Sequence, residues 1–458
     1  MSLMKKTLQL NFPHYSAITK LAFPIIVGQL GLIVVGLADN IMVGHYGTDE
    51  LAAASFVNSI FNLATLFGLG FSYGLTPLIG SLIGQKEYIK SGIALRNSLV
   101  ANGLFGIILT FCMMIVYLNV EKMQQPTELL PLIRPYFLLQ TAGLIIIMIF
   151  NAFKQFTDGI GDAYQSMKVM LICNIVNIIG NYLLIYGNFG FPEMGLNGAG
   201  ISTLISRILL PVLMGASFFI APKFKEFRKG FLSAKADLPA IRRLAKDGVP
   251  VAFQIGLEAS AFNLSAIMIG WVGTTALAAH QVMMGLTTLG YLIYYGVGSA
   301  ITILSSRYIG QSQGREAIRV SHCGAHLILA WCAVLIPILA IFRNHIGSIF
   351  TSSEEVNALV ALLVFPTIIY QIADGIQIGY ANALRGIGDM KAMPYISFLS
   401  FFMICLPASY FFGIYLNMGA VGIWMGFPIG LTVAATLFFI RFKNQTAKLD
   451  RMVTLQAE

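Results

Sequence analysis

Three carboxylates stand where a 458-residue chain that is 57% hydrophobic gives them no aqueous surroundings: Asp39, Glu258 and Asp374. Glu258 is central to PVAFQIGLEASAFNLSAIMIG, residues 250–270. Counting about 1.5 Å per helical residue, it lies roughly 15 Å in from the basic stretch that ends near Lys246. That is the midplane of a hydrocarbon core about 30 Å thick, where a charge costs about 2.5–3.5 kcal/mol on insertion scales. An acid kept there faces a bundle interior or a wet cavity and binds something, often a proton or an ion. Tyr370 and Gln377 flank Asp374 at −4 and +3, and Gln254 precedes Glu258 by four, so each acid has partners on its own helical face. Carboxylate, phenol and amide oxygens are hard ligands, suited to a proton or a small hard cation rather than a soft metal. The pattern predicts one cation site from Glu258, Asp374 and Tyr370, with Gln254 and Gln377 as candidate substrate contacts.

Asp39 lies in GLADNIMVGHYG, towards the outer end of the first apolar run. It reads either as an acid snorkelling to the surface or as a carboxylate that gains and loses a proton in an outward-opening cavity. Asn174, Asn177 and Asn181 follow at helical spacings of three and four, which serves interhelical amide bonds or a polar wall beside Asp39. Arg207 is an intramembrane cation that must be paired or hydrated, with Asp39 and backbone carbonyls as candidate partners. Tyr291, Tyr294 and Tyr295 form an aromatic stripe; packing is the commoner use, but aromatic faces also attract organic cations.

Apolar runs of 18 or more residues recur along the whole length, which defines an all-α polytopic membrane protein. Twelve spans are expected, near 16–43, 50–80, 93–119, 131–154, 165–187, 197–221, 247–270, 276–306, 316–342, 356–384, 392–414 and 418–441. The net charge of +9 is not a nucleic-acid signature, because its distribution follows the membrane. With the N-terminus inside, 25 of the 29 Lys and Arg fall in the termini, the even-to-odd connections and the span ends that adjoin them, eight of them between Lys223 and Lys246. This is the positive-inside bias, with both termini cytoplasmic. The N-terminal segment lacks an apolar signal core, so the first run is expected to be retained. The five cysteines have no metal-ligand spacing and read as apolar packing residues.

The elements that position the acids are duplicated. A shift of 226 places Pro24 on Pro250, Gly47-Thr48 on Gly273-Thr274, Gly70 on Gly296 and Gly84-Gln85 on Gly310-Gln311. A shift of 227 places Gly159-Ile160-Gly161-Asp162 on Gly386-Ile387-Gly388-Asp389. Two six-helix bundles entering the membrane in the same sense form a parallel repeat, an architecture that alternates access by rocking. The expected organisation is a first lobe at 1–221, a cytoplasmic linker at 222–246, a second lobe at 247–441 and a cytoplasmic tail at 442–458. The acids break the repeat: Glu258 aligns with Leu32, Asp39 with Ser265 and Asp374 with Ile147. Each lobe is therefore expected to have its own task.

At these residues the chain resembles the multidrug and toxin extrusion (MATE) family, in its NorM-like branch. The resemblance rests on Pro24, GLADNIMVGHYG, Asn177 and Asn181 before Tyr182, Glu258, and Asp374 within DGIQIGYANALRGIGD, and covers essentially all 458 residues. It implies an antiporter rather than an enzyme. Such an antiporter exports chemically varied, often cationic and amphipathic compounds, driven by inward sodium or proton flow, with no cofactor besides that ion. By the same resemblance Glu258, Asp374 and Tyr370 match the branch's second-lobe cation site, with sodium the first choice. Asp39, Asn177 and Asn181 match its first-lobe polar cluster, and Asp39 is expected to couple protonation to compound release there. A monomer in the cytoplasmic membrane, surrounded by lipid, is the expected state.

Two other classes compete. Gly386-Ile387-Gly388-Asp389 fits the GxGD pattern of intramembrane aspartyl proteases, but it occurs twice, at cytoplasmic span ends where glycines serve a turn. A lipid-linked precursor flippase shares the duplicated plan and calls for a strongly basic cavity. Arg207 is the one clear intramembrane cation in the sequence, against three acids.

Overall fold

The computed structural model describes the backbone of residues 2–123 and 125–455 and the side chains of residues 11–123 and 125–448. The last ten residues of the expected cytoplasmic tail lie outside the described side chains. Among the described residues, twelve helices are long and apolar enough to cross a membrane. They are α1 Asn11–Tyr46, α2 Thr48–Gly84, α3 Tyr88–Leu118, α4 Thr127–Gly159, α5 Ala163–Leu184 and α6 Gly195–Ile220, then α7 Leu238–Val272, α8 Thr274–Gly310, α9 Gly314–Ile349, α10 Glu354–Gly386, α11 Met393–Tyr415 and α12 Gly419–Lys448. The count matches the twelve apolar runs. Several helices extend beyond those runs, because polar residues continue the backbone ladder past the hydrocarbon. At α10 the start is fixed chemically: the Ser353 hydroxyl accepts from the Val356 amide at 3.5 Å, and Glu354 and Glu355 occupy the first turn.

Span α11 departs from a regular helix. Within α11 the backbone is π-helical at Phe398–Cys405 and again at Phe411–Tyr415, on either side of Leu406–Tyr410. Pro407 lies between the two stretches and cannot donate to the preceding turn, which locally loosens the ladder.

The duplication is visible in backbone detail. Lys86 and Ser312, related by the shift of 226, both have positive φ, at 62° and 60°, in the turns that end α2 and α8. Gly161 and Gly388, related by 227, take φ of 89° and 84° just after α4 and α10. These are left-handed positions that glycine adopts without penalty. The side chains repeat one hydrogen bond as well: Thr76 donates to Gln155 Oε1 at 2.7 Å, and its counterpart Thr302 donates to Asn382 Oδ1 at 3.1 Å.

By their contacts the residues form two compact units, Val27–Ala252 and Met1–Ile26 with Phe253–Glu458. They are called here the first and second lobe. The two divisions fall within α1 and α7, each two residues after a proline, Pro24 and Pro250, and the shift of 226 superposes them. The sequence places the lobe boundary in the linker, whereas the contacts group the linker with the first lobe. The linker helix Lys225–Ser233 lies against α3, where Arg96 donates to the Phe231 carbonyl at 3.1 Å and Asn97 accepts from the Asp237 amide at 2.8 Å.

Close approach at two repeat-related glycines fixes helix packing inside each lobe. A Cβ on Gly70 of α2 would stand 2.7 Å from the Ala252 Cα, and one on Gly296 of α8 would stand 2.3 Å from Ile26 Cγ1. Small residues permit this contact where membrane helices have no hydrophobic drive to associate.

Candidate functional site

In the second lobe α7 and α10 bring Glu258 and Asp374 within electrostatic reach of each other. The mid-span prolines Pro250 and Pro366 are tolerated because neighbouring helices re-satisfy the freed backbone groups. Asp374 is 2% exposed and Glu258 half-buried. Gln377, one turn beyond Asp374, donates its Nε2 to Glu258 Oε2 at 3.0 Å and leaves its own Oε1 buried without a hydrogen-bond partner. A buried orphan acceptor beside two carboxylates suits a cation, which would take oxygens that no protein donor satisfies. Tyr370 is buried within electrostatic reach of both acids. Its ring is set in an aromatic wall, 6.2 Å from Phe262 and 6.3 Å from Trp424 and Phe427.

Gln254 has a partner that the sequence reading missed. Arg385, at the C-terminal end of α10 and only 6% exposed, donates Nη2 to Gln254 Oε1 at 2.8 Å and Nη1 to Asn382 Oδ1 at 3.3 Å. It lies within electrostatic reach of Glu258. The tyrosines divide. Tyr291 is 42% exposed, within electrostatic reach of both acids, and 5.9 Å from the buried Tyr295 ring. Tyr294 is fully buried, donating to Gln371 Oε1 at 2.9 Å and lying 3.2 Å from Cys332 Sγ. Its hydroxyl is committed within the helix packing. Three residues of helical spacing cannot all face one way, and Tyr294 is the one turned inward.

In the first lobe Asn181 of α5 donates to Asp39 Oδ1 of α1. Asn181 Nδ2 also lies 3.5 Å from Asn177 Oδ1, and Asn177 donates to Thr203 of α6 at 3.3 Å. Asn181 Oδ1 and Asn174 Nδ2 are buried without partners. Three further residues belong to this cluster and were not singled out: Asn58, Tyr136 and Gln140. Gln140 donates to the Tyr136 hydroxyl at 2.8 Å, and that hydroxyl donates to Asn58 Oδ1 at 3.1 Å. The four-residue spacing of Tyr136 and Gln140 is the signal that was available for them. Arg207 donates to the Gln140 carbonyl at 3.5 Å and lies within electrostatic reach of Asp39 and Tyr136.

The count of one intramembrane cation against three acids is also corrected. Lys154 and Asp158, near the C-terminal end of α4, are both buried and paired at 2.7 Å, with Ser166 donating to Asp158 at 2.8 Å. Both lie at a span end, where a sequence boundary error of a few residues moves them out of the membrane. The two GxGD copies serve turns. Gly161 and Gly388 carry the positive φ, Asp162 pairs with Lys223, and Asp389 accepts from Arg441 Nε at 2.6 Å and from Gln445 at 2.8 Å. Aspartates held by basic side chains are not a facing pair that shares a proton.

The chain was compared with known proteins. The multidrug resistance protein NorM of Photobacterium profundum is 29% identical over 434 residues, which is 92% of this chain and 94% of that protein. The probable multidrug resistance protein NorM of Pasteurella multocida is 30% identical over 451 residues, 96% of each. Among solved structures, an outward-facing multidrug resistance MATE family transporter of the MOP superfamily superposes with a TM-score of 0.85 at 20% identity, covering 96% of this chain and 97% of that one. A MATE crystal structure in the bent conformation gives 0.87 at 19% identity, with 95% and 96% covered. The MatE family matches residues 24–183 and again 250–411, one match in each repeat. The paired matches begin at Pro24 and Pro250, the repeat-related prolines of α1 and α7, and together they span most of the chain; it belongs to the MatE family and is a MATE transporter.

Proposed function

We propose that this transporter exports amphipathic, often cationic organic compounds by alternating access, in exchange for an inward-moving sodium ion or proton. The observation that carries the reading is the second-lobe acid pair, Glu258 and Asp374, with the orphan Oε1 of Gln377 beside it. Cation entry satisfies these oxygens together, and a cation that prefers one access state biases the transporter by its differential affinity. Tyr370 lines the same site. Asp39, Asn177 and Asn181 form the first-lobe site, where protonation of Asp39 is coupled to compound release. Sodium is the preferred coupling ion. Tyr291, with its exposed face near the acids, is the tyrosine that favours a cationic compound. The relatives named for multidrug resistance support the substrate class.

A lipid-linked precursor flippase is not favoured. Of the cations within the spans, Lys154 is paired with Asp158 and Arg385 is hydrogen-bonded to two amides, which leaves Arg207 as a single charge rather than the strongly basic cavity a pyrophosphate calls for.

The protein acts in the cytoplasmic membrane as a monomer, with both termini and the linker inside. A cysteine placed at Ser233 is then protected from an impermeant reagent in intact cells, and ready labelling would overturn the orientation. The function is tested with everted vesicles loaded with a fluorescent organic cation, imposing sodium and proton gradients separately. Dye movement driven by either gradient is expected; movement that ignores both sinks the antiport reading.

A further inference from the structure

Arg207 is the least satisfied charged side chain of the first-lobe cluster. A guanidinium carries five N–H donors in a planar fork. Among the described residues its hydrogen-bond partner is the Gln140 carbonyl, at 3.5 Å, the long limit for such a bond. Asp39 is within electrostatic reach but gives its Oδ1 to Asn181 instead. The side chain is half-buried, on the same α6 stripe as Thr203, which bonds Asn177.

The niche that holds this side chain is shaped for it. Gly143 on α4 faces Arg207, and a Cβ there would stand 2.6 Å from Nη1 and 2.9 Å from Cδ. Only the absence of a side chain at Gly143 lets the guanidinium lie along α4. An arginine within a span faces an interior or a wet cavity. A planar fork with spare donors, held beside a carboxylate, fits a ligand that carries both signs of charge.

We propose that Arg207 is an anion-recognition element of the first-lobe site, holding the carboxylate of a zwitterionic amphiphile whose cationic end lies towards Asp39. This rests on the proposed export of organic compounds and adds to it a preference for zwitterions over simple cations. A charge-assisted, two-pronged bond to a carboxylate supplies affinity that an ester cannot match.

The test uses two dyes of one skeleton: rhodamine 6G, a cationic ethyl ester, and its free acid, a zwitterion. Binding of each is measured by fluorescence polarisation to purified full-length protein in nanodiscs. Arg207→Gln is expected to weaken the free acid by at least about tenfold and leave the ester within about twofold, the scale of a hydrogen bond to a charged group. Gly143→Ala, which pushes the guanidinium from its niche, is expected to weaken the free acid in the same direction, and it carries the test if Arg207→Gln does not fold. Arg207→Lys keeps the charge without the fork and is expected to fall between. Equal losses for both dyes, or no loss for either, would overturn the proposal while leaving the transport reading standing. Wild-type protein that binds neither dye would overturn both.

Discussion

Gln377 donates its amide nitrogen to Glu258 across 3.0 Å and keeps its own carbonyl oxygen buried and unpaired. One side chain thereby orients an acid on α7 from a position one turn beyond the acid on α10. If the two carboxylates share a cation, Gln377 both positions one of them and supplies a further oxygen.

Gln377→Leu removes the donor and the acceptor at similar size. The expected result is a sodium requirement for efflux raised by about tenfold, the worth of one hydrogen bond to a charged group. Dye binding in the absence of sodium should be unchanged. An unaltered sodium requirement would assign Gln377 to packing.

Packing at the repeat-related glycines gives a prediction about stability rather than transport. Gly70→Ala places a methyl 2.7 Å from the Ala252 Cα, which is backbone and cannot rotate away. A cost of about 1–3 kcal/mol follows from overpacking of this kind. Gly103→Ala, where the new methyl meets nothing within 4 Å, is the control. Thermal unfolding in detergent should show a lowered midpoint for Gly70→Ala and none for Gly103→Ala; equal midpoints would mean that the two helices slide apart freely.

The sequence carried much of this and missed an identifiable part. Hydropathy found the twelve spans because lipid forbids unpaired backbone, so each crossing must be a long apolar helix. Asp39, Glu258 and Asp374 stood out because a carboxylate in an apolar run is expensive. Tyr136 and Gln140 did not, because uncharged polar side chains in a span look the same whether they bond a neighbour or line a cavity. Arg385 was hidden by position: it borders a basic connection between spans, and only the fold shows its guanidinium turned back to Gln254. Tyr294 was grouped with Tyr291 and Tyr295 as one aromatic stripe, while its bond to Gln371 depends on where α10 packs.

Asp39 carries the first-lobe prediction. It accepts from Asn181 and is half-buried, so Asp39→Asn keeps size and polarity while removing a titratable group. Expression and thermal unfolding are expected to stay near wild type, whereas drug resistance of expressing cells falls and the pH dependence of efflux flattens. Normal resistance with a normal pH profile would remove Asp39 from the coupling step.

The second-lobe pair gives the strictest test. Glu258 and Asp374 are within electrostatic reach, and two carboxylates in low dielectric are not both kept charged without a cation or proton between them. Glu258→Gln and Asp374→Asn should therefore each reduce ion-driven efflux by at least about tenfold, since each removes a charged ligand from one site. Binding of an organic dye should remain measurable in both. On the shared-site proposal the double variant should lose little more than either single one, whereas independent sites would add their losses. Direct sodium binding to the purified protein separates the cases: one saturable site in wild type, absent from all three variants. If either single variant kept both sodium-driven and proton-driven efflux intact, Glu258 and Asp374 would not form a shared ion site.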